Sequence, residues 1–444
     1  MNVVDKKSWD NPVPKGIEVD GSRYSSRDFM EKEWEFLWPK VWLLLGREDE
    51  LMNPGDYQTE EFGRESFIMI RQKDGSVKTF YNVCAHRGAR LTNNPWGKTE
   101  AFKCPYHGWV WSLEGDLKEA QDHEDFPEGD PCGKLKLKEV KCETFAGFVW
   151  INMDENAISL KEWLGPVWED WQAYEIDKWK PYLMQTVTMP CNWKIILDNF
   201  NESYHLNTVH APEKSVTTKR IASGMDTSYK TTQFDLSKQG HNRMIMKGGY
   251  AFATMNEDGE IRDPLYSVMK EWGINPDVYK GKPEETREAL QKAKRAVGPE
   301  RGYTHYKNLR DEQFTDTQHY TLFPNFAVSV WTDGFHFLRA RPHPTDPEKS
   351  LFDHFWYASQ PDKETAPVRT TKGIVDRNEF AERQFFNYGE ESMGQTIDQD
   401  GVIFALQQQG LRSRGFDRAY YANQESRVHR FHELIEDYFN GVKP

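Results

Sequence analysis

Two short segments of the chain each carry one cysteine and one histidine close together. The first reads Cys84-x-His86 and the second reads Cys104-x2-His107. A zinc finger usually takes two thiolates from one loop and two imidazoles from another. Here each loop offers one of each, which suits a [2Fe–2S] cluster that has two Cys on one iron and two His on the other. The pattern predicts an iron–sulfur site of this type; a zinc knuckle and unligated core side chains are the alternatives.

Glycines stand beside both segments. Gly88 lies two residues after His86, and Gly108 directly follows His107. Glycine permits tight turns and close backbone approach, so that amide N–H groups can point at a sulfur ligand. Both loops therefore contain the turn residue that a ligand loop needs.

A second pair of histidines, His205 and His210, follows in the middle of the chain. On an ideal helix five residues advance about 500°, which leaves the two imidazoles roughly 140° apart. Both can reach one metal only if the helix ends, bends or bulges between them. Glu202, three residues before His205, shares its face and can orient its ring. Two such histidines can also be plain surface or core residues, but beside a predicted cluster we interpret them as ligands of a second metal.

The third ligand of that metal must come from elsewhere. A non-heme Fe(II) oxygenase site needs two His and one carboxylate, with open positions left for oxygen. Asp398 and Asp400 are the best candidates in the sequence. Either aspartate can instead cap the helix that follows. The residues alone leave this choice open.

Composition limits the function classes. The chain has 444 residues, enough for two or three domains, and 14% of them are aromatic. The net charge of −13 argues against nucleic acid as a partner. The five cysteines are odd in number, which argues against a disulfide framework. With neither a signal-peptide pattern nor a membrane-length apolar stretch, we expect a soluble, cytoplasmic protein with no membrane segment.

Cofactor motifs for nucleotides are missing from the sequence. It contains no G-x-G-x-x-G and no P-loop, so nicotinamide, flavin or ATP bound by those motifs is not supported. The chain therefore has no evident dinucleotide site.

Hydrophobic patterning predicts a small all-β unit from about Trp42 to Met153, with the two ligand loops at hairpin tips. We also expect an amphipathic terminal helix at Ser426–Phe439, whose His429 and His432 lie on a solvated face. The other predicted elements are helices at Ser26–Leu37, Asn192–Val209 and Glu284–Val297, a strand at Leu183–Met189, and two strands within Thr321–Arg339 that turn at Asp333-Gly334.

The two ligand loops, followed by N-F-N-E-S-Y-H-x4-H, resemble the catalytic (α) subunit of the Rieske non-heme iron oxygenases, the aromatic ring-hydroxylating oxygenase family. The resemblance implies an α+β fold, in which an all-β Rieske [2Fe–2S] domain is inserted in a helix-grip (START/Bet v1-like) catalytic domain with an antiparallel sheet. The expected domains are an N-terminal helical part of the catalytic domain at 1–41, the Rieske domain at 42–155, and the mononuclear-iron domain at 156–444.

The resemblance also assigns the site residues. It implies that Asp400 is the iron carboxylate, because Gln408, Gly410 and Leu411 follow it at the family's usual offsets. Glu202 takes the position of the bridging carboxylate, where many ring dioxygenases have Asp and the members acting on carnitine, choline and related amines have Glu. Asn199 is a further candidate catalytic residue. The implied ligands are Cys84, His86, Cys104 and His107 for the cluster, and His205, His210 and Asp400 for one Fe(2+).

The implied function is that of a terminal oxygenase in a multicomponent Rieske system. It would use O2 and NAD(P)H-derived electrons, from a reductase and in some systems a ferredoxin, to hydroxylate or oxidatively dealkylate a small organic, aromatic substrate. The expected assembly is a homotrimer, or α3β3 with a small subunit. One alternative is a monooxygenase acting on a quaternary amine such as carnitine or betaine. Two other classes remain: a Rieske electron-transfer protein fused to a ligand-binding domain, and a zinc-stabilised interaction protein.

Overall fold

The computed structural model describes residues 9–210, 232–248, 259–361, 363 and 366–442. The chain forms two compact units. The smaller is continuous, Glu33–Trp163, and the larger combines Met1–Lys32 with Leu164–Pro444. The predicted α+β class is confirmed: the smaller unit is built on β-sheets, and the larger combines helices with a mainly antiparallel sheet.

The smaller unit contains a seven-stranded and a three-stranded sheet. The strand order is β1-β10-β9-β4-β3-β2-β5 in the first and β6-β7-β8 in the second, and all pairs are antiparallel. The strands are β1 (Leu43–Arg47), β2 (Asp56–Phe62), β3 (Glu65–Arg71), β4 (Val77–Tyr81), β5 (Trp96–Lys98), β6 (Ala101–Lys103), β7 (Val110–Ser112), β8 (Leu117–Glu119), β9 (Glu139–Phe145) and β10 (Phe148–Asn152).

Aromatic and branched side chains form the core of this unit. Four consecutive residues of β3, from Phe67 to Ile70, are fully buried. One hydrophobic cluster joins this strand to Trp109 and Trp111, and it includes the side chains of Cys84 and Cys104. The two candidate thiolate ligands are therefore part of the packed core.

The larger unit contains an eight-stranded sheet in the order β12-β13-β14-β15-β16-β17-β11-β20, within the residues that the structure describes. All neighbouring pairs are antiparallel except β11 with β20. Its strands are β11 (Lys180–Met189), β12 (Gln233–Leu236), β13 (Asn242–Met246), β14 (Thr317–Leu322), β15 (Phe326–Val330), β16 (Gly334–Pro342), β17 (Ser350–Ala358) and β20 (Gln384–Asn387), with a separate pair of β18 (Val368–Thr370) and β19 (Gly373–Val375).

Helices accompany this sheet. The described α-helices of the chain are Ser22–Ser25, Arg27–Lys32, Leu160–Leu164, Pro166–Gln172, Trp193–Phe200, Leu206–Val209, Leu265–Glu271, Pro283–Val297, Gln395–Leu411 and Ser426–Phe439. The predicted helix over Ser26–Leu37 continues past Lys32 as a π-helical turn, Glu33–Leu37. Among the described helices, none has both the length and the apolar character needed to cross a bilayer.

The prediction for Thr321–Arg339 is correct at one turn and wrong at the other. The chain turns between β15 and β16 around Asp333, as expected. However, β14 ends at Leu322 and β15 begins at Phe326, so an additional turn falls inside the predicted first strand. Pro324 lies in that turn and cannot donate a ladder hydrogen bond, which accounts for the interruption.

The prediction that His429 and His432 lie on a solvated face is wrong. His432 is fully buried, and its Nε2 lies 3.1 Å from Asp198 Oδ1 and 2.9 Å from the Tyr24 hydroxyl. His429 Nε2 accepts a hydrogen bond from the Ile17 N–H at 2.9 Å. The N-terminal segment covers this helix, and its distance along the chain hid that contact from local periodicity.

A buried carboxylate ties three strands of the larger sheet together. Asp353 on β17 is fully buried and accepts hydrogen bonds from Arg339 at 2.7 Å and Arg341 at 2.8 Å, both on β16. Arg383 reaches the same group at 3.0 Å, and the Thr186 hydroxyl on β11 at 2.7 Å. Burial alone would raise the pKa of Asp353. The three guanidinium groups outweigh this effect and hold the pKa well below its usual value.

We predict that Asp353→Asn lowers the free energy of unfolding of the larger unit by about 3 kcal/mol or more, because it leaves buried guanidinium groups uncompensated. Since the folded pKa is depressed, this contribution is present at neutral pH and is lost as the pH falls below the ordinary carboxyl range. Urea unfolding measures the change. The control is Asp311→Asn, which breaks an exposed pair with Arg295 and should cost less than about 1 kcal/mol. Equal losses in both variants would contradict the prediction.

Candidate metal centres

The two Cys–His loops of the smaller unit share one backbone hydrogen-bonding pattern. In the first, the Cys84 N–H donates to the Ala89 carbonyl at 2.8 Å and the Gly88 N–H to the Cys84 carbonyl at 3.0 Å. The second repeats this from Cys104, with Trp109 and Gly108 in the same roles and the same distances. The two glycines have φ of +73° and +72°, a left-handed conformation that favours glycine. The loops are thus two copies of one turn.

The loops differ in what holds their ends. The second is the tip of the β6–β7 hairpin, as predicted. The first connects β4 to β5, which are not neighbours in the sheet, so the prediction of a hairpin tip is wrong there. The buried Asn82 closes this loop instead: its Oδ1 accepts from the N–H groups of Leu91 and Thr92, and its Nδ2 donates to the Thr92 carbonyl at 2.8 Å.

The four predicted ligand residues come together at these loops. Cys84 and Cys104 are buried, and the imidazole rings of His86 and His107 lie 4.7 Å apart between centroids. The Nδ1 atoms of both rings are buried and have no hydrogen-bond partner. The Trp109 indole stacks on His86 at 4.3 Å. Two adjacent buried nitrogens without partners, beside two buried thiols, fit the donor set of a Rieske-type cluster.

Burial also sets the protonation of these groups. It raises the pKa of the Cys84 thiol, and the neighbouring Cys104 thiol adds to that shift. It lowers the pKa of His86, and His107 acts in the same direction. The neutral forms of Cys84 and His86 are therefore favoured, and binding of a metal by the Cys84 thiolate would release its proton.

The second pair of histidines flanks a break in a helix. The helix Trp193–Phe200 begins after Asn192, whose side chain accepts from the Lys194 N–H at 3.0 Å, and it ends at Phe200. The chain becomes helical again only at Leu206–Val209, with His205 before this turn and His210 after it. The predicted continuous helix over Asn192–Val209 is wrong, and the interruption meets the condition under which both rings can reach one metal.

Three potential ligand atoms converge across this break. The Nε2 atom of His205 lies 3.6 Å, and that of His210 3.2 Å, from Oδ1 of Asp400. One donor atom from each of the three residues falls within 4.8 Å of the others. Asp400 is 2% exposed, and its Oδ1 has no hydrogen-bond partner. A buried carboxylate oxygen that faces two imidazole nitrogens fits a 2-His-1-carboxylate metal site.

Two oxygen atoms orient the imidazoles from behind. Glu202 Oε1 lies 2.5 Å from Nδ1 of His205, and Gln399 Oε1 lies 2.9 Å from Nδ1 of His210. With the proton of each ring held on Nδ1, each Nε2 directs a lone pair towards Asp400. Sequence reasoning identified Glu202 but missed Gln399, whose one visible signal is its position directly before Asp400.

Asp398 has a different role from its neighbour. Its Oδ1 accepts from the Met393 N–H at 2.8 Å, and its Oδ2 accepts from the Ser392 hydroxyl at 2.5 Å. It therefore binds groups of the segment just before the helix Gln395–Leu411. Asp398 and Asp400 both lie inside this helix, whose N-cap is Gly394, so the alternative that one of them caps it is wrong. Of the two aspartates, Asp400 faces the histidines.

Glu202 is itself held in place by the backbone and by a buried network. Its Oε2 accepts from the N–H groups of Tyr204 and His205. The preceding Asn201 accepts from Asn242 Nδ2 at 2.8 Å, and Asn242 in turn accepts from Arg427 at 3.0 Å. Burial lowers the pKa of Arg427 to about 9, and the negative charge of Glu202 opposes this shift. The terminal helix thus braces Asn201, the residue before Glu202.

Two cavities meet at these residues. One, of about 490 Å³, is lined by the three candidate ligands and by side chains from β13 to β17. The other, of about 840 Å³, is lined by Tyr24, Asp198 and Glu425 among others. Glu202, His205 and Asn199 line both. Asn199 is buried, and its Nδ2 has no partner, so the third predicted residue of this segment also faces the site.

Comparison with known proteins identifies relatives for both units. The sequence profile of the ring hydroxylating alpha subunit (catalytic domain) matches residues 176–441, and that of the Rieske [2Fe-2S] domain matches residues 41–139. The chain is 36% identical over 191 residues to the carnitine monooxygenase oxygenase subunit of Escherichia coli (strain K12). The matched region is 42% of this chain and 50% of that relative. It is 34% identical over 197 residues to the benzene 1,2-dioxygenase subunit alpha of Pseudomonas putida, 43% of each chain. The chain spans about half the length of the curated relatives it matches.

Solved structures share the fold over nearly the whole chain. The quaternary ammonium Rieske monooxygenase CntA in complex with L-carnitine has a TM-score of 0.63 at 21% identity and covers 95% of each chain. Naphthalene 1,2-dioxygenase with indole bound has a TM-score of 0.65 at 19% identity and covers 100% of this chain and 98% of its own.

We predict that Asp400→Ala abolishes mononuclear iron binding and leaves the cluster spectrum unchanged, because two imidazoles alone leave the site with neither its charge nor its third ligand. Iron analysis with visible and EPR spectra measures both centres. Asp398→Ala is the matched control and should keep the mononuclear iron. If Asp398→Ala loses the iron and Asp400→Ala retains it, our choice of carboxylate is wrong.

Proposed function

Because the chain belongs to the ring hydroxylating alpha subunit family and carries a Rieske [2Fe-2S] domain, we propose that it is the terminal oxygenase of a multicomponent Rieske system. It would use O2 and NAD(P)H-derived electrons to hydroxylate, or oxidatively dealkylate, a small aromatic substrate. The observation that carries this proposal is the meeting of His205, His210 and Asp400 at the wall of a 490 Å³ cavity.

We assign the cluster to Cys84, His86, Cys104 and His107, and the ferrous iron to the three convergent residues. When bound, the cluster supplies electrons one at a time and the mononuclear iron supplies the site of oxygen reduction. The protein itself orients the histidine rings and the substrate. Glu202 and Gln399 keep the Nδ1 protons in place, and the mostly apolar cavity keeps substrate near the open side of the triad.

We propose a separate NAD(P)H-dependent reductase, in some systems with a ferredoxin, as the electron donor, and a homotrimer or an α3β3 assembly. Three chains in a ring use heterologous contacts that close on themselves. In such a ring Glu202 would link His205 of its own chain to a cluster histidine, His107 by resemblance, of the next chain. A cytoplasmic location agrees with the finding that none of the five cysteines forms a disulfide bond.

A quaternary amine is the second candidate substrate. Glu202 in place of Asp and the similarity to carnitine monooxygenase subunits favour it. The mostly apolar lining suits an aromatic substrate, and among the described residues its carboxylates, Glu202 and Asp400, are both engaged at the metal site. A permanent cation would have to rely on the aromatic faces of the wall rather than on an opposite charge.

A single-turnover experiment distinguishes these functions. The purified protein, with its cluster chemically reduced, is mixed with ¹⁸O2 and indole, naphthalene, benzoate or L-carnitine, and the products are analysed by mass spectrometry. We expect ¹⁸O in an aromatic product from the wild type. We expect none from Cys84→Ser, because a hydroxyl does not replace a thiolate on iron. Label in carnitine products alone would favour the amine function. No product, together with no mononuclear iron, would favour an electron-transfer protein.

We predict that Glu202→Gln keeps both metal centres but slows reoxidation of the reduced cluster by about tenfold or more. The amide keeps the shape but loses the charge, so the hydrogen bond to His205 and its counterpart on the next chain both weaken. Stopped-flow absorbance with substrate and oxygen measures the rate.

Glu425→Gln is the matched control, because Glu425 lines the same 840 Å³ cavity and binds the Ala422 N–H rather than a histidine. It should reoxidise at the wild-type rate. A wild-type rate in Glu202→Gln would refute the role of Glu202 in electron transfer.

A further inference from the structure

One imidazole in the wall of the 490 Å³ cavity has no hydrogen-bond partner among the described residues. His336 lies on β16 opposite Trp356 on β17, with the two rings 5.2 Å apart. His336 is 7% exposed, its Nε2 is buried without a partner, and no described residue forms a hydrogen bond with its Nδ1. A buried donor or acceptor that is left without a partner destabilises the fold. Such a group therefore requires an explanation, and a bound ligand supplies one.

The neighbouring histidines, unlike His336, have hydrogen-bond partners in the protein. His319, which lines the same cavity, binds the Phe200 carbonyl through Nε2 and the Ser329 hydroxyl through Nδ1, each at 2.8 Å. His354 is bound by Gln185 and Thr371. The fold thus satisfies both nitrogens of these two rings with protein atoms.

The chemistry of His336 suits a neutral partner. Burial lowers its pKa to about 3, so at neutral pH the ring carries one N–H and one free lone pair and no charge. A neutral imidazole can donate to a carbonyl oxygen or accept from a hydroxyl. It offers nothing to a permanent cation beyond a weak dipole.

The rest of the wall suits a flat, apolar body. The indoles of Trp331 and Trp356 stack at 5.1 Å with 22° between their planes, and Phe200 and Leu338 line the same cavity. The Trp331 Nε1–H is already donated to the Thr317 hydroxyl at 2.7 Å. Aromatic faces of this kind accept ring systems by stacking.

We propose that His336 is a substrate-binding residue, which hydrogen-bonds a hydroxyl or carbonyl substituent of a planar aromatic substrate and so sets which ring carbon faces the metal triad. The proposal rests on the proposed function, since it names the substrate class of that same cavity. It predicts that the enzyme prefers a substituted arene over its methyl isostere, and that this preference resides in one side chain.

Binding of a matched pair of probes tests this assignment. Equilibrium dialysis of the oxidised, iron-loaded protein, without an electron donor, compares 2-naphthol with 2-methylnaphthalene. We expect the naphthol to bind about tenfold more tightly to the wild type, as one hydrogen bond to an otherwise unsatisfied group allows. His336→Phe should bring the two affinities to about the same value. Met246→Leu, which changes an apolar part of the same lining, is the control and should keep the ratio.

His336→Gln provides an independent measure if the larger ring perturbs folding. Its amide keeps a donor and an acceptor, so at least a threefold preference should remain. Equal affinities in the wild type, no binding of the naphthol, or a ratio that survives in His336→Phe would overturn the assignment. Because no turnover is involved, failure of the oxygenase function would appear in the ¹⁸O experiment and not in this one.

Discussion

The carboxylate of Asp400 is buried against two imidazoles with one oxygen unpartnered, and the larger unit is organised around that group. A buried charge without compensation costs several kcal/mol, so a cation held by the three side chains would stabilise the arrangement. The neighbouring groups fix the positions of this carboxylate and of the two imidazoles. The helix Gln395–Leu411 fixes Asp400, Asp398 anchors the start of that helix, and Gln399 and Glu202 fix the rings that face it.

The break after Phe200 follows from the same requirement. Two histidines five residues apart cannot share one side of a regular helix, so the chain must leave the helix between them. Glu202 makes that departure stable, because its Oε2 caps the N–H groups of Tyr204 and His205 while its Oε1 holds the His205 ring. A shorter Asp would have one methylene less with which to span both tasks. The glutamate at this position thus has a structural reason that is separate from any choice of substrate.

Local spacing was sufficient to predict the elements whose stability is local. The terminal helix begins and ends at Ser426 and Phe439, as predicted, and the charged helix begins one residue earlier than predicted, at Pro283. The Cys–His pairs could be recognised because a ligand loop carries its donors and its glycine within a few residues. The identity of the carboxylate could not be read from the residues alone, since Asp398 and Asp400 differ only in which side of one helical turn they occupy. The resemblance favoured Asp400, and the geometry shows the hydrogen bonds that engage Asp398 instead.

What the sequence hid depends on contacts between distant parts of the chain. His432 resembles a surface residue until the segment with Tyr24 and the helix with Asp198 cover it, over separations of 408 and 234 residues. His336 presents the opposite case: it sits in an alternating strand like any core residue, and only its surroundings distinguish it. Its neighbours His319 and His354 were given partners by the fold, whereas the described structure offers His336 none. The sheet thus satisfies two buried histidines with protein atoms and leaves a third in the cavity wall without a protein partner, which is the arrangement that the proposed substrate contact requires.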